Sequence, residues 1–111
     1  MATVAYTRLV TPGGATVYSW QLASGDVGSP VISPGHSDKC VQLFGTFGAA
    51  VTLQGSNEAG PPTNWETLTD LQGTAIVKTA AALTQITENP YQIRPSAGAV
   101  TSVTVLLLVY H

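Results

Sequence analysis

The most reactive side chains of the sequence come close together at one place, where His36, Asp38 and Cys40 alternate. On an extended strand this spacing puts all three side chains on one face. A cysteine nucleophile needs a histidine within hydrogen-bond reach and a third group that orients that histidine. The preceding loop is rich in glycine and serine, however, and Cys40 begins a strand, where a small buried apolar residue is expected. We therefore predict no catalytic residue in this motif.

Carboxylates are scarce in this chain. The six are Asp26, Asp38, Glu58, Glu66, Asp70 and Glu88. A glycosidase needs two carboxylates that face each other across a cleft, one of them with a raised pKa. Glu66 and Glu88 lie on predicted strands and stay open as candidates, but Glu88 and Arg94 flank a turn and are expected to form a structural ion pair. We predict that the protein is not an enzyme.

Metal and cofactor sites are not indicated by the sequence either. One cysteine and two histidines cannot complete a four-ligand zinc site without carboxylates. No glycine-rich loop leads into a helix whose N-terminus could bind a phosphate. We predict neither a metal nor another cofactor.

Aromatic residues suggest a binding function, because flat rings can stack on sugars. The tyrosines and tryptophans are Tyr6, Tyr18, Trp20, Trp65, Tyr91 and Tyr110. A carbohydrate-binding module would expose two or three of them on one face, beside amides and carboxylates. The predicted strands offer few such polar neighbours. Trp20 and Trp65 are therefore interpreted as structural core residues, and sugar binding stays an alternative.

Composition limits the partners of this 111-residue chain. Its net charge of −2 gives no basic patch for nucleic acid. Residues 103–110, the most apolar stretch, are too few for a membrane-spanning helix, and residues 1–10 lack the apolar segment of a signal peptide. We expect no contact with nucleic acid or membrane. Only 9% of the residues are charged, against about 25% usually, which predicts that protein partners cover part of the surface.

The elements that position these residues are predicted to be β-strands. Threonine and valine are abundant, whereas the usual residues of helix surfaces are scarce. Residues 15–23 alternate, with Tyr18, Trp20 and Leu22 on one face. Further strands are predicted at 39–47, 48–55, 65–70, 91–94 and 103–110, with a strand, turn and strand over 74–87. Seven or eight short strands and no substantial helix indicate an all-β fold, an antiparallel two-sheet β-sandwich of jelly-roll type.

Three segments have particular positions in this prediction. Residues 1–14 end in a Thr-Pro-Gly-Gly turn signal and are interpreted as an N-terminal arm, loose or laid against a neighbour, before a single sandwich domain over 15–111. Residues 91–94 lie between two prolines and are expected at a sheet edge. The last strand is apolar on both faces from residue 106 onward, so both of its faces should be covered.

Three sequence motifs resemble a known family. Residues 51–58 (VTLQGSNE) and 64–70 (NWETLTD) resemble a hairpin, and residues 84–95 (TQITENPYQIRP) resemble a segment of the form I-x-E-x-P-x-x-I-R-P that precedes a terminal strand. In this order the motifs resemble the head decoration, or cement, proteins of tailed bacteriophages. The resemblance covers about residues 48–110 and implies a β-sandwich or jelly-roll fold without an active site.

The resemblance implies a virion protein that is assembled in the cytoplasm of a bacterial host. It would bind the outer surface of the mature icosahedral head, bridge major capsid protein subunits and associate with itself as a dimer or a trimer. Contacts are expected from the arm, the loop over residues 28–37 and the outward side of the last strand. The predicted interface residues are Thr3, Val4, Tyr6, Arg8, Ser33, Pro34, His36, Leu106 and Leu108. The alternatives are a virion carbohydrate-binding module and a tail or head-fibre subunit.

Overall fold

The computed structural model describes residues 2–32 and 39–110, which form twelve strands in two sheets. The strands are β1 (Thr3–Val4), β2 (Thr7–Val10), β3 (Ala15–Leu22), β4 (Val27–Gly28), β5 (Val31–Ile32), β6 (Lys39–Thr46), β7 (Val51–Ser56), β8 (Glu66–Thr67), β9 (Val77–Lys78), β10 (Ala82–Gln85), β11 (Gln92–Ala97) and β12 (Ser102–Tyr110). This part of the chain forms no helix, so it contains no helix that could cross a membrane. The predicted all-β sandwich is confirmed, with more and shorter strands than expected.

The five-stranded sheet has the order β10-β6-β12-β3-β2, and every pair in it is antiparallel. The last strand of the chain, β12, lies at its centre. Its register places Leu106 opposite Ser19 on one side and opposite Gln42 on the other. Directly opposed residues of an antiparallel pair share a face of the sheet, so this register decides which side chains meet.

The seven-stranded sheet has the order β1-β4-β11-β7-β8, with β5 also pairing with β11 and β9 with β7. Its longest ladder joins six residues of β11 to β7 in antiparallel register. The β1–β4 pair is parallel. The loop between β7 and β8 and the turn that precedes β11 lie at one end of this sheet.

The core lies between the two sheets and is built by alternation along each strand. In β12 residues 103, 105, 107 and 109 are completely buried, while the residues between them are partly exposed. Trp20 from the five-stranded sheet and Ile93 from the seven-stranded sheet are among the largest buried side chains. The indole nitrogen of Trp20 donates to the carbonyl of Ser29 at 3.0 Å, so its polar edge is satisfied inside the core.

The N-terminal segment differs from the predicted arm, because it pairs with both sheets of its own chain. Val27 donates its N–H to the carbonyl of Ala2 at 2.9 Å, and Ser29 donates to that of Val4 at 2.7 Å. Four residues of β2 pair with β3. Backbone hydrogen bonds hold this segment in place. Backbone groups are the same in every residue, so the side-chain pattern of the sequence did not predict this pairing.

The strand expected at a sheet edge lies inside the seven-stranded sheet instead. It extends from Gln92 to Ala97, and Pro95 lies within it. Ala97 donates its N–H to the carbonyl of Asp26, on the side of β4. Because N–H groups alternate along a strand, the nitrogen of Pro95 faces the same side, beside Gly28, where β4 ends. The donor that proline lacks therefore falls where the neighbouring strand is interrupted.

Candidate functional site: the outer face of the five-stranded sheet

The side of the five-stranded sheet that points away from the core is here called the outer face. It consists of the residues that alternate with core residues along the five strands, placed beside one another by the strand registers. They are Thr7, Leu9, Ala15, Val17, Ser19, Gln21, Cys40, Gln42, Phe44, Thr46, Leu83, Gln85, Ser102, Thr104, Leu106, Leu108 and Tyr110. The face thus joins segments from both ends and the middle of the sequence.

Among residues 2–32 and 39–110, no charged side chain belongs to the outer face. The five strands contain two charged residues, Arg8 and Lys39. Arg8 lies opposite Tyr18, and Lys39 lies opposite the buried Val109, so both belong to the opposite side of the sheet. Solvent-facing sheet surfaces ordinarily carry polar and charged residues, and a sheet face without any charge is typical of a surface that another molecule covers.

Apolar side chains form the middle and the margins of the outer face. Leu106 and Leu108 on the central strand are half-buried, and a shallow cavity of about 180 Å³ lies between them and the neighbouring strands. Leu83 at one margin is 70% exposed, and Leu9 at the other is 63% exposed. The structure places both predicted interface leucines of β12 on this face, and their contact with a partner stays a prediction.

Polar groups at one end of the outer face are satisfied within the chain. The side chain of Gln21 donates to Ser102 Oγ at 2.6 Å and accepts from Thr104 Oγ1 at 2.8 Å. Covering polar groups that are already paired costs less free energy than covering groups that lose water without a new partner. This end of the face can therefore be buried at low cost.

Cys40 lies on the outer face beside Leu108 and Gln85. Burial raises the pKa of its thiol, which keeps the thiol protonated at neutral pH. Its proposed partners in the reactive motif, His36 and Asp38, lie outside the described residues. The predicted loop contacts Ser33, Pro34 and His36 also lie outside them.

The predicted interface residues of the N-terminal segment point in different directions. Val4 packs against the core, and the ring of Tyr6 lies edge-on to Tyr18 with 5.1 Å between centroids. Thr3 and Arg8 are exposed, on strands of different sheets. The structure does not bring these four residues together with the leucines of β12.

The predicted ion pair between Glu88 and Arg94 is wrong. Glu88 accepts hydrogen bonds from the backbone N–H, at 2.8 Å, and the hydroxyl of Thr69. Arg94 lies opposite Gln54 in the β11–β7 register, and its Nε donates to the Gln54 side chain at 2.9 Å. The partner of Glu88 therefore lies on the segment after β8 and that of Arg94 lies on β7, so the two residues do not pair across the turn.

The two tryptophans have different surroundings. Trp20 is 1% exposed and is a core residue, as expected. Trp65 is half-buried, and the guanidinium carbon of Arg94 lies 4.1 Å above its ring centre. A cation over an indole ring is a favourable contact, but it occupies one of the faces on which a sugar could stack.

A cavity of about 500 Å³ near the β7–β8 loop contains three carboxylates, Glu58, Glu66 and Glu88. Glu58 accepts backbone hydrogen bonds from Thr63 and Asn64 at 2.9 and 2.7 Å, which lower its pKa. Glu88 also has a lowered pKa. A general acid needs a raised pKa, whereas the pKa values of Glu58 and Glu88 are lowered, so neither carboxylate has the pKa of a general acid. Among residues 2–32 and 39–110 no three or more metal-ligating side chains, these glutamates included, are placed so that they could hold a metal ion together.

Comparisons with known proteins concern the fold alone. No family model and no curated protein sequence matches the chain. A cupin domain from Bordetella pertussis Tohama I matches in structure with a TM-score of 0.59 and 11% identity, over 99% of this chain and 95% of that one. The SPBc2 prophage-derived protein YomS matches with a TM-score of 0.61 and 14% identity, over 91% of this chain and 96% of that one.

An enzyme also shares this fold. A structure of oxalate oxidase matches with a TM-score of 0.54 and 12% identity, over 95% of this chain and 53% of that one, so this chain spans about half of the enzyme's length. This match overturns the prediction that the protein is not an enzyme, because that prediction was drawn from side chains alone and the fold is one that supports catalysis. The chain therefore has the two-sheet β fold of cupin domains, found in an enzyme and in a prophage-derived protein alike.

Proposed function

We propose that this chain is a structural protein of a bacteriophage virion, which decorates the outer surface of the head and stabilises it by bridging major capsid protein subunits. The observation that carries this proposal is the outer face, which has no charged residue in the described part of the chain and exposes Leu9 and Leu83 to solvent. An exposed apolar surface of this kind marks a site of protein interaction.

The fold and the sequence motifs support the same proposal. Prophage-derived YomS has this fold, so a phage genome contains a protein of this architecture. The three motif segments that resemble decoration proteins lie side by side, since β8 pairs with β7 and β11 pairs with β7 on its other side. These three strands form one continuous part of the seven-stranded sheet, whereas residues 84 and 85 of the third segment belong to β10 and the terminal strand to β12 of the five-stranded sheet.

The mechanism of a decoration protein is additive stabilisation. A copy that binds the mature capsid lattice and not the immature one lowers the free energy of the mature lattice by mass action. Symmetry repeats the contact over the whole shell, so a modest affinity at each site is sufficient. Copies that first associate with one another gain further affinity through multivalency.

The copy number of the protein in purified phage particles tests this proposal. It is measured by quantitative mass spectrometry against the major capsid protein. A ratio near one to one supports decoration of the head. A few copies per particle would favour a tail or head-fibre subunit, and absence from the particle would overturn the structural proposal.

Catalysis is a second candidate function, favoured by the structural match to oxalate oxidase. The cavity beside Glu58, Glu66 and Glu88 is the concave region that contains the most carboxylates of those described. Consumption of oxalate by the purified chain tests this candidate. Turnover that is lost in Glu66→Gln but retained in Asp70→Asn would favour an enzyme over a decoration protein.

A further inference from the structure

We propose that the outer face of the five-stranded sheet is the contact surface between two copies of this chain, which associate face to face about a two-fold axis. This inference rests on the proposed function in one respect, since both assign the outer face to protein contacts. It goes further by naming the occupant of the face, a second copy.

The charge distribution favours a second copy as the occupant. In a two-fold dimer the same patch lies on both sides of the contact, so any charge on it near the axis faces a like charge. The described strands avoid this cost on their outer face, because their two charged residues, Arg8 and Lys39, lie on the other side of the sheet. A surface without charge offers no electrostatic complementarity with which to select a different, charged partner.

The position of the apolar residues also suits this arrangement. The two-fold axis would lie in the plane between the two faces and pass over the centre of each sheet. It then places β12 of one copy over β12 of the other. Leu106 and Leu108 of the two copies then interdigitate at the centre, with Val17 and Cys40 beside them. Packed sheets lie about 10 Å apart with their strands within about 30° of each other, so side chains from both faces fill the gap.

The size of the outer face is sufficient for a weak dimer. Five strands about 4.8 Å apart and about seven residues with a rise of about 3.4 Å give about 500 Å² for each copy. Two copies then bury about 1,000 Å², the area at which specific interfaces begin. We therefore expect reversible association with a Kd in the micromolar range, as is usual at the small end of the size scale.

Light scattering during size-exclusion chromatography tests the proposal on the full chain, loaded over a wide concentration range. The mass should rise from 11.5 kDa at low concentration towards twice that value. Leu106→Glu places two carboxylates near the axis and should weaken association at least about tenfold, since unpaired charges at an interface centre are costly.

A second variant and a matched control separate loss of contact from loss of folding. Leu83→Glu changes a side chain that is 70% exposed, so it should weaken association while leaving the circular dichroism spectrum unchanged. Ile32→Glu changes a side chain that is 58% exposed on the seven-stranded sheet. Its association should equal that of the unaltered chain.

Cys40 provides an independent measurement, because it is the single cysteine of the chain and lies on the outer face. Its rate of alkylation by iodoacetamide should fall as the protein concentration rises and dimers protect it. In Leu83→Glu the rate should lose this dependence on concentration.

The remaining outcomes test the dimer and the proposed decoration function separately. A monomeric mass at all concentrations, or a dimer that both glutamate variants leave intact, would overturn the inference. A monomer whose binding to phage particles is lost in Leu83→Glu would show that capsid protein occupies the face; this result overturns the inference and leaves the proposed function standing. A dimer that the variants disrupt, from a chain absent from particles, supports the inference and overturns the proposed function.

Discussion

At the scale of single residues, carboxylates of this chain hold its loops together. Glu58 accepts the backbone hydrogen bonds of Thr63 and Asn64, and Asp70 accepts that of Gln72 at 2.9 Å. Ionised acceptors form stronger hydrogen bonds than neutral ones. Several of the few charges in the sequence are thus used to shape loops, which leaves large parts of the surface without charge.

Glu88 should make the stability of the fold depend on pH. Burial raises its pKa, but hydrogen bonds from Thr69 and the nearby charge of Lys39 outweigh this effect and lower the pKa below its ordinary value of 4.5. A carboxylate with a lowered pKa stabilises the folded state above that ordinary value, and the contribution is lost as the pH falls through the folded-state pKa. Because solvent screens this partly exposed carboxylate, we expect Glu88→Gln to lower the free energy of unfolding at neutral pH by no more than about 1 kcal/mol.

Urea denaturation over a series of pH values measures this effect. Below its ordinary pKa the Glu88→Gln protein should lose less stability on acidification than the unaltered protein. Glu66→Gln is the matched control, because Glu66 is an exposed glutamate in the same cavity. Parallel acid profiles for the Glu88→Gln and unaltered proteins would contradict the argument.

Gly28 should be intolerant of any side chain. A Cβ at this position would lie 2.5 Å from the Cδ of Pro95 and 2.7 Å from the indole nitrogen of Trp20. Gly28→Ala should therefore lower the free energy of unfolding by about 1 to 3 kcal/mol, the usual cost of overpacking. Gly60→Ala is the control, since a Cβ there meets nothing within 4 Å. Equal urea midpoints for the two variants would count against this packing argument.

At the scale of elements, the N-terminal strands determine whether the start of the chain is free or part of the fold. β1 extends the seven-stranded sheet beside β4, and β2 forms an edge of the five-stranded sheet. Between them, Tyr6 places its ring 5.1 Å from that of Tyr18 and 6.2 Å from that of Trp20. This aromatic cluster covers one side of the core, so the segment contributes to stability as well as to the surface.

Tyr6→Ala tests the contribution of this segment. Loss of the ring should lower the free energy of unfolding by about 1 to 2 kcal/mol, because edge-to-face aromatic pairs add to the free energy of burial. Tyr6→Phe retains the ring and should change stability little. The measurement is thermal denaturation of both variants, and an unchanged melting temperature in Tyr6→Ala would indicate a segment that is dispensable to the fold.

At the scale of the whole molecule, the two sheets share one core. The radius of gyration of 12.8 Å agrees with the value of about 13 Å expected for one domain of this length. Trp20 and Leu43 from the five-stranded sheet and Ile93 from the seven-stranded sheet belong to the same buried cluster. Neither sheet can separate from the other without exposing this cluster to water.

The protein should therefore unfold in one cooperative step. In Trp65→Phe, the fluorescence of the remaining Trp20 reports on the core, while far-ultraviolet circular dichroism reports on both sheets. The two signals should change together with urea concentration. Different midpoints for the two signals would mean that one sheet unfolds before the other.

The sequence alone determined the features that depend on near neighbours along the chain. Alternation in β3 identified Tyr18, Trp20 and Leu22 as one buried face, because side chains on a strand point to opposite sides in turn. The two-sheet class, and the absence of helix from the described residues, followed from the same local pattern. Leu106 and Leu108 could be identified as outward apolar residues for this reason as well.

Tertiary structure alone decided what depends on which strands lie together. Pro95 suggested a sheet edge, but its strand lies inside the sheet, because the neighbouring strand is interrupted after β4 and no backbone donor is needed there. Arg94 faces Gln54 instead of Glu88 because the β11–β7 register places it there, and the outer face exists only because five distant segments align. Strand pairing is set by contacts between residues far apart in sequence, so a local pattern gives strands but not their neighbours.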